Sequence, residues 1–208
     1  LYSQEVLAAH RIPLPKTMLG RFPADPDLIE KQIGFPLVVK TLSGTRGGGV
    51  FLTETREQFK DLTDLIAETN SNVHFIFQEY ISRSHGRDLR VFVINGKVLA
   101  CMERQSVDGS FKSNISRGGQ GMNYPVTPEI ERLASQIVNI LDIQVAGIDL
   151  LFDDDGYRVC EVNSSPDFKG LESACPVNAA KAMIEAAISG KTVCGRLWFK
   201  FCNLMKPA

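Results

Sequence analysis

Three residues carry the clearest chemistry in this chain: Asp149, inside the apolar run 145–152, and Glu161 and Asn163, which alternate with Cys160 and Val162. Alternation puts Glu161 and Asn163 on one face of a strand. The turn Asp153-Asp154-Asp155-Gly156 folds that strand back, antiparallel, on the strand that carries Asp149. Three oxygen-bearing side chains then converge at a sheet surface. A lone carboxylate in so apolar a setting is costly unless something neutralises it. A hard divalent cation, Mg²⁺ above all, takes carboxylate and amide oxygens and keeps positions open for phosphate. The pattern therefore points to nucleotide chemistry. The plain alternative is a set of acidic strand residues that are solvated or salt-bridged.

A second group of residues fits the same chemistry. The stretch Ser43-Gly44-Thr45-Arg46-Gly47-Gly48-Gly49-Val50 lies between two strands. It has neither the Gly-Lys-Ser/Thr ending of a P-loop nor the strand-to-helix setting of a dinucleotide fingerprint, so both of those readings fail. A glycine-rich hairpin can still fold over a triphosphate, with the N–H groups of Gly44, Gly47 and Gly48 aimed at oxygen. Lys40, at the end of the preceding strand, would add an ammonium near the phosphates. Gln78-Glu79-Tyr80-Ile81 ends an apolar strand in polar groups, and an adenine could sit against it. Asp88 follows at the start of the next strand, within reach of a ribose hydroxyl. Taken singly, each feature also reads as a solvent loop or as sheet core with a surface acid.

These residues need elements to position them. A short helix is expected over residues 2–10, ended by the extended connector Ile12-Pro13-Leu14-Pro15. Residues 25–32 read as a helix stopped at Gly34. Residues 35–40 and 50–52 read as strands flanking the 41–49 loop. Thr53 or Thr55 caps a helix to Thr69 with Phe59, Leu62, Leu65 and Ile66 on one face. Strands follow at 73–80 and 88–94, then the turn Asn95-Gly96 and a strand over 97–104. Residues 106–124 read as a long glycine-rich loop, a candidate active-site element. Thr127-Pro128-Glu129 opens a helix to Leu141, the acidic hairpin follows, and a last helix spans 177–188. Antiparallel strand pairs flanked by helices predict an α+β protein. The apolar 191–208 tail has no clear period.

The bulk numbers exclude several classes. The chain has 208 residues, 44% hydrophobic and 23% charged, with a net charge of −1. Such a balance gives no electrostatic case for nucleic acid or an anionic membrane. No apolar run approaches the ~18–20 residues of a membrane span, and no charged-then-apolar leader opens the chain. The chain starts at Leu1 rather than Met, so it reads as a fragment or as a chain whose N-terminal part is missing. Cys101, Cys160, Cys175, Cys194 and Cys202 are odd in number and unpaired in spacing, which predicts a reduced, cytoplasmic protein without a zinc site. Cys101 and Cys160 read as core residues. His10, His74 and His85 are scattered and read as structural or exposed.

Taken in order, the motifs match a known family. They are Phe35-Pro36-Leu37-Val38-Val39-Lys40, Gly44-Thr45-Arg46-Gly47-Gly48-Gly49-Val50, Gln78-Glu79-Tyr80-Ile81, Asp88-Leu89-Arg90, Glu103-Arg104, Lys112-Ser113-Asn114, Gly147-Ile148-Asp149 and Glu161-Val162-Asn163-Ser164-Ser165-Pro166. Over residues 1–190 the chain strongly resembles the ATP-grasp ligases, and within them the RimK-type enzymes. The resemblance implies two α+β lobes that grip ATP between antiparallel sheets. These are 1–80, with the phosphate loop at 43–49, and 81–190, with the Mg²⁺ site, followed by the 191–208 tail. It implies that Lys40 binds ATP phosphate, that Gln78, Glu79, Tyr80 and Ile81 hold the adenine and that Asp88 binds the ribose. Lys112, Ser113 and Asn114 would line the triphosphate site. Asp149, Glu161 and Asn163 would hold one or two Mg²⁺ or Mn²⁺ ions. Arg90 and Arg104 would pair with phosphate or a substrate carboxylate, because a planar guanidinium matches carboxylate oxygens; Arg117 is a weaker candidate.

The implied reaction joins a carboxylate to an amine through an acyl phosphate, with Arg90, Arg104, Lys112 and Asn114 as its catalytic residues. The implied amine is that of glutamate. The acceptor would be a protein tail, a peptide or a small molecule, and a homo-oligomer is allowed. Lys112 stands where RimK-type enzymes often carry Arg, which keeps the charge but loses the two-pronged geometry. The N-terminal domain that precedes the ATP-grasp portion in the family has no counterpart here, nor does the first family lysine. Two other readings of the site stay open: a phosphotransferase or ATPase, and a nucleotide-binding module without catalysis.

Overall fold

Alternation along two strands organises the first half of the molecule. Strands β1 (Thr17–Arg21), β2 (Leu37–Thr41), β3 (Val50–Thr53) and β4 (His74–Glu79) form an antiparallel sheet in the order β1-β4-β2-β3. Leu37 and Val39 of β2 and Phe75 and Phe77 of β4 share one face, which Ile29 and Phe59 cover from α2 (Pro26–Gln32) and α3 (Arg56–Thr69). The residues between them, Val38, Lys40, Ile76 and Gln78, line the opposite, helix-free face. The structure is a computed structural model and describes residues 2–21, 23–42, 49–69, 74–113, 115 and 118–189. The 191–208 tail, with Cys194 and Cys202, lies outside them.

The second sheet repeats the logic. Strands β5 (Arg87–Ile94), β6 (Lys97–Gln105), β7 (Gln120–Tyr124), β8 (Val145–Asp153) and β9 (Gly156–Asn163) run antiparallel in the order β7-β6-β5-β8-β9. Asn95 and Gly96 both take positive φ, 50° and 78°, which is the twist a two-residue hairpin needs. Leu89, Val91 and Val93 of β5 pack with Ile130 and Ile137 of α4 (Pro128–Leu141). Asp88, Arg90 and Phe92 alternate with them on the other face. Phe92 is covered there by Leu171 of α5 (Lys169–Ala174) and Ala179 of α6 (Ala179–Ile188). Helix α1 (Tyr2–Ala9) sends Leu7 into the core under the second sheet, beside α4, although it precedes the first sheet in sequence.

Local chemistry sets the helix ends. Thr127 caps α4 by accepting from Ile130 N at 3.2 Å, Pro128 follows, and Asp142 closes it in the left-handed conformation. Thr55 accepts from Gln58 N at 3.3 Å, whereas the Thr53 hydroxyl is buried and donates to Leu37 O at 3.2 Å. The expected apolar face of α3 holds for Phe59, Leu62 and Ile66. Leu65 departs from it: it is 64% exposed, being turned about 100° from Ile66.

The α+β class is as expected, with two added strands, one added α-helix and a 3-10 turn at Ser82–Ser84. β1 lies between the 12–15 connector and the helix expected from residue 25, in a stretch assigned no element from sequence. It is short, and its Gly20 sits where a Cβ would lie 2.6 Å from the Phe77 ring, so close packing rather than alternation marks it. β7 lies in the expected 106–124 loop. It is a largely exposed edge strand, which needs no apolar pattern. The six-residue α5 is too short to give a period.

Phe59 is fully buried, with its ring 5.9 Å from that of Phe35 and 5.7 Å from that of Phe77. Phe59→Ala should lower unfolding free energy by about 3–5 kcal/mol, read as a lower urea midpoint with an unchanged slope.

Candidate functional site

The helix-free parts of the two sheets face each other across a cavity of about 980 Å³. On the wall from the first sheet, Lys40 Nζ donates to Gln78 Oε1 at 2.6 Å and to Cys160 Sγ at 3.5 Å, the latter from the opposite wall. Val38 and Ile76 supply the apolar surface between.

Strand register builds the other wall. Arg104 of β6 stands opposite Asp88 of β5, Arg90 of β5 opposite Asp149 of β8, and Asp149 opposite Glu161 of β9. Such opposed residues share a face and interact directly. Arg90 grips Asp149 with two parallel bonds, Nε to Oδ1 at 2.7 Å and Nη2 to Oδ2 at 2.8 Å. Arg104 grips Asp88 in the same fashion, Nε to Oδ1 at 2.8 Å and Nη2 to Oδ2, and its Nη2 also reaches Asp149 Oδ2 at 2.9 Å. Asp88, Arg104 and Asp149 are all buried. Burial by itself raises the Asp149 carboxyl, but the charges of Arg104 and Arg90 and their hydrogen bonds outweigh it and hold it below its ordinary value. Burial works against the charge of Arg104 too, and Asp149 and Asp88 overcome it, so Arg104 stays protonated.

Two local features shape the acidic hairpin. Pairing shifts from Asp149 opposite Glu161 to Leu150 opposite Val159, which leaves Cys160 as the extra residue of a bulge. Alternating apolar character predicts Cys160 in the core. The bulge instead puts it on the cavity wall, where burial raises its thiol and the Lys40 ammonium partly offsets that. Cys101 is in the core as expected, its thiol pushed up to about 12, first by burial. Gly147, opposite Asn163, sits where a Cβ would lie 2.7 Å from Cβ of Pro166, so only glycine lets the segment after β9 approach.

Asp149, Glu161 and Asn163 therefore line one cavity. Glu161 is exposed to it, and Asn163 Oδ1 accepts from Ser165 N at 2.8 Å, which fixes the amide. Among the described residues no cluster of three or more His, Cys, Asp or Glu could hold a metal. The donor set here is two carboxylates and one amide. Each Asp149 oxygen keeps acceptor capacity beside its guanidinium bonds. Such a set suits a hard cation that completes its shell with water and phosphate, and it does not suit zinc.

The connector between the sheets is tied down. Glu79 Oε2 accepts from Lys16 N at 2.9 Å and from Arg158 Nη1 at 3.0 Å. The Tyr80 hydroxyl is hydrogen-bonded to His85 Nδ1, and His85 Nε2 donates to Gly109 O at 3.1 Å. Ile81 is buried at the cavity edge. Lys112 and the buried Ser113 reach the cavity from the 106–119 segment, with the Lys112 ammonium 5.4 Å and 5.8 Å from the ring centres of Phe111 and Phe51. The structure thus brings together Lys40, Gln78, Glu79, Tyr80, Ile81 and Asp88 with Arg90, Arg104, Lys112, Ser113 and the three proposed metal ligands. Gly44, Gly47, Gly48, Asn114 and Arg117 lie outside the described residues.

Sequence reasoning passed over Arg158, which links Glu79 to Asp153, and Cys160. Between Tyr157 and Val159, Arg158 reads as a solvent-facing hairpin residue, and no local signal distinguishes it.

The RimK-like ATP-grasp domain family matches residues 1–187. A probable alpha-L-glutamate ligase of Alkalilimnicola ehrlichii is 45% identical over 175 residues, 84% of this chain and 58% of the relative. A protein with the same description from Aeromonas salmonicida is 41% identical over 186 residues, 89% of this chain and 62% of the relative. The chain thus spans less than two-thirds of these relatives. ATP-grasp ligase PsnB, solved with a minimal precursor, Mg and ADP, has the same fold with a TM-score of 0.70 at 20% identity, over 91% of this chain and 57% of that one. D-alanine–D-alanine ligase from Bacillus anthracis does so at 0.69 and 18%, over 93% and 67%.

Two outcomes follow from the ion network. Arg104→Met leaves two buried carboxylates short of a partner, so unfolding free energy should fall by about 3–5 kcal/mol in urea titrations. Asp149 has a depressed folded pKa, so its contribution to stability is complete above the unfolded value of about 3.9 and is lost as pH falls through the lower folded value. Asp149→Asn should therefore weaken the pH dependence of stability below about pH 4 while leaving its slope near neutrality unchanged, as followed by thermal melts across pH.

Proposed function

The chain belongs to the RimK-like ATP-grasp family, and we propose that it forms the ATP-grasp portion of an ATP-dependent carboxylate–amine ligase. One observation carries the reading: a lysine wall and a carboxylate–arginine wall face each other across a cavity of nucleotide size. The proposed lobes are 1–80 and 81–190, with α1 packed into the second. The 79–81 connector would receive the adenine, using backbone groups because the Glu79 side chain is already bonded to Arg158.

The reaction proposed joins an acceptor carboxylate to the γ-phosphoryl group of ATP, releasing ADP, and then lets an amine displace phosphate to give an amide. Glutamate is the proposed amine, in line with the description carried by the most similar relatives reported above. The acceptor would be a peptide, a protein tail or a small acid. Both steps bring anions together, so positioning and charge neutralisation matter more than covalent help. Lys40 would bind phosphate, and Lys112, Ser113 and Asn114, with the N–H groups of Gly44, Gly47 and Gly48, would enclose the triphosphate. Arg90 and Arg104 hold Asp149 ionised and would present their remaining N–H groups to the transferring phosphoryl or the acceptor carboxylate. Asp149, Glu161 and Asn163 would hold one or two Mg²⁺ or Mn²⁺ ions. When bound, the ions would supply Lewis-acid polarisation and charge neutralisation at the phosphates. Among the described residues no helix is long and apolar enough to cross a membrane. The cysteine spacing supports a reducing compartment, and the cytoplasm is the proposed location.

ADP release from Mg-ATP by the full-length protein tests this reading, with glutamate present or absent, against a panel of acidic acceptors followed by mass spectrometry. Release that needs both partners, with an acceptor gaining glutamyl units, is expected. Release that ignores the amine and adds no mass would establish a phosphotransferase or ATPase instead.

A further inference from the structure

Val159 and Glu161 stand two residues apart on β9, and in a plain strand they would share a face. They do not. Val159 is 1% exposed in the core shared with α4, and Glu161 lines the cavity on the other side of the sheet. The extra residue at Cys160 makes the change of phase. Without it, a one-residue shift would turn both Glu161 and Asn163 away from the cavity. The proposed ligand set therefore depends on what holds the bulge.

β9 is the edge strand of its sheet, so its outer side can pair with something other than a strand. The N-terminal segment takes that place. Gln4 Nε2 donates to Cys160 O at 3.1 Å, and Val159 N donates to Pro13 O at 2.8 Å. The two bonds fall on successive residues at the bulge. Both ends of this clasp are anchored: Leu7 lies one helical turn from Gln4 on α1, Ile12 precedes Pro13, and both are buried in the same core. The Gln4 amide has no second task, because its Oε1 is buried without a hydrogen-bond partner among the described residues. A buried amide oxygen left unpaired is unfavourable. An apolar side chain would suit the packing better unless the N–H group is needed.

We infer that Gln4 is a positioning residue for the divalent-cation site, acting through the Cys160 carbonyl to hold the bulge that aims Glu161 and Asn163 into the cavity. The inference rests on the ligase reading above, in which those two residues bind the ion. It gives a role to the path of the chain, in which α1 precedes the first sheet yet packs beside α4. Gln4 is uncharged, so its effect on the site is geometric and insensitive to salt.

The test uses the full-length protein with Mn²⁺ as the probe. Free Mn²⁺ is followed by electron paramagnetic resonance in the presence of ADP, and ADP binding is measured separately in EDTA. Gln4→Met keeps the length of the side chain and removes the donor. It should weaken Mn²⁺ binding by about tenfold, equally at low and high salt. The metal-free ADP constant should stay at the parent value, because Lys40 belongs to the other wall. Amide hydrogen exchange should speed up over 157–163 of β9 and stay unchanged over 87–94 of β5. Gln4→Asn, one methylene too short to reach, should behave alike and serves if Gln4→Met does not fold. An unchanged Mn²⁺ constant in a variant with a lower melting temperature would make Gln4 a purely structural residue. A metal-free ADP constant weakened as much as the Mn²⁺ constant would make it a nucleotide contact. Either result overturns the inference and leaves the ligase reading intact. A parent protein that binds neither ADP nor Mn²⁺ overturns the ligase reading and the inference with it.

Discussion

The buried pairing of two aspartates with two arginines on the inner face of the second sheet is the constraint on which the rest depends. It sits where water is scarce, so no member can be removed without stranding a partner. Its geometry is a consequence of register. Asp88 and Arg90 are two residues apart on β5 and so share a face, and antiparallel pairing puts Arg104 against the first and Asp149 against the second. A one-residue slip of β5 would bring Leu89 and Val91 to the cavity and bury the charges under α4. The apolar face packed on α4 and the ionic face toward the cavity therefore specify each other.

The first sheet meets this wall by the same period. Leu37, Val39, Phe75 and Phe77 are held by Ile29 and Phe59, which obliges Lys40 and Gln78 to face the cavity. The two walls are linked by contacts that cross long stretches of sequence. Lys40 reaches Cys160, 120 residues on, and Glu79 meets Arg158, 79 residues on. Both contacts end on β9, and so tie β2 and the end of β4 to the acidic hairpin.

Much of this is legible in the sequence, and the limits have physical reasons. Asp149, Glu161 and Asn163 stand out because period-2 alternation and an acidic turn are local signals. Arg90 and Arg104 stand out by type, but their partners do not. The Arg90–Asp149 pair spans 59 residues, and which of two arginines meets which aspartate is decided by register. Cys160 misleads because a bulge leaves apolar alternation intact in sequence while turning one residue out of it. β1 and β7 escape because edge strands bury little and are held by pairing with β4 and β6. Gly20 and Gly121 are their only marks, each needed for close approach to a neighbouring side chain.

The distribution of charge separates the two kinds of cation at the site. Arg90 and Arg104 are matched by carboxylates in the resting state, so their charge is largely used in keeping Asp149 ionised and aligned. Lys40 is different. It donates to the amide oxygen of Gln78 and the sulfur of Cys160, both neutral, and among the described residues no carboxylate pairs with it. A folded protein tolerates an unmatched ammonium at a cavity wall because the cavity is open to water, whereas the buried Arg104 and the partly buried Arg90 need counter-charges. The same difference suits function. An arginine paired with aspartate defines shape, and a lysine beside neutral partners would meet an incoming phosphate without first leaving a counter-charge. The site can therefore be rigid on the wall that would hold the metal and electrostatically unsatisfied on the wall that would meet the nucleotide, where on the proposed reading Lys40 would draw in the triphosphate.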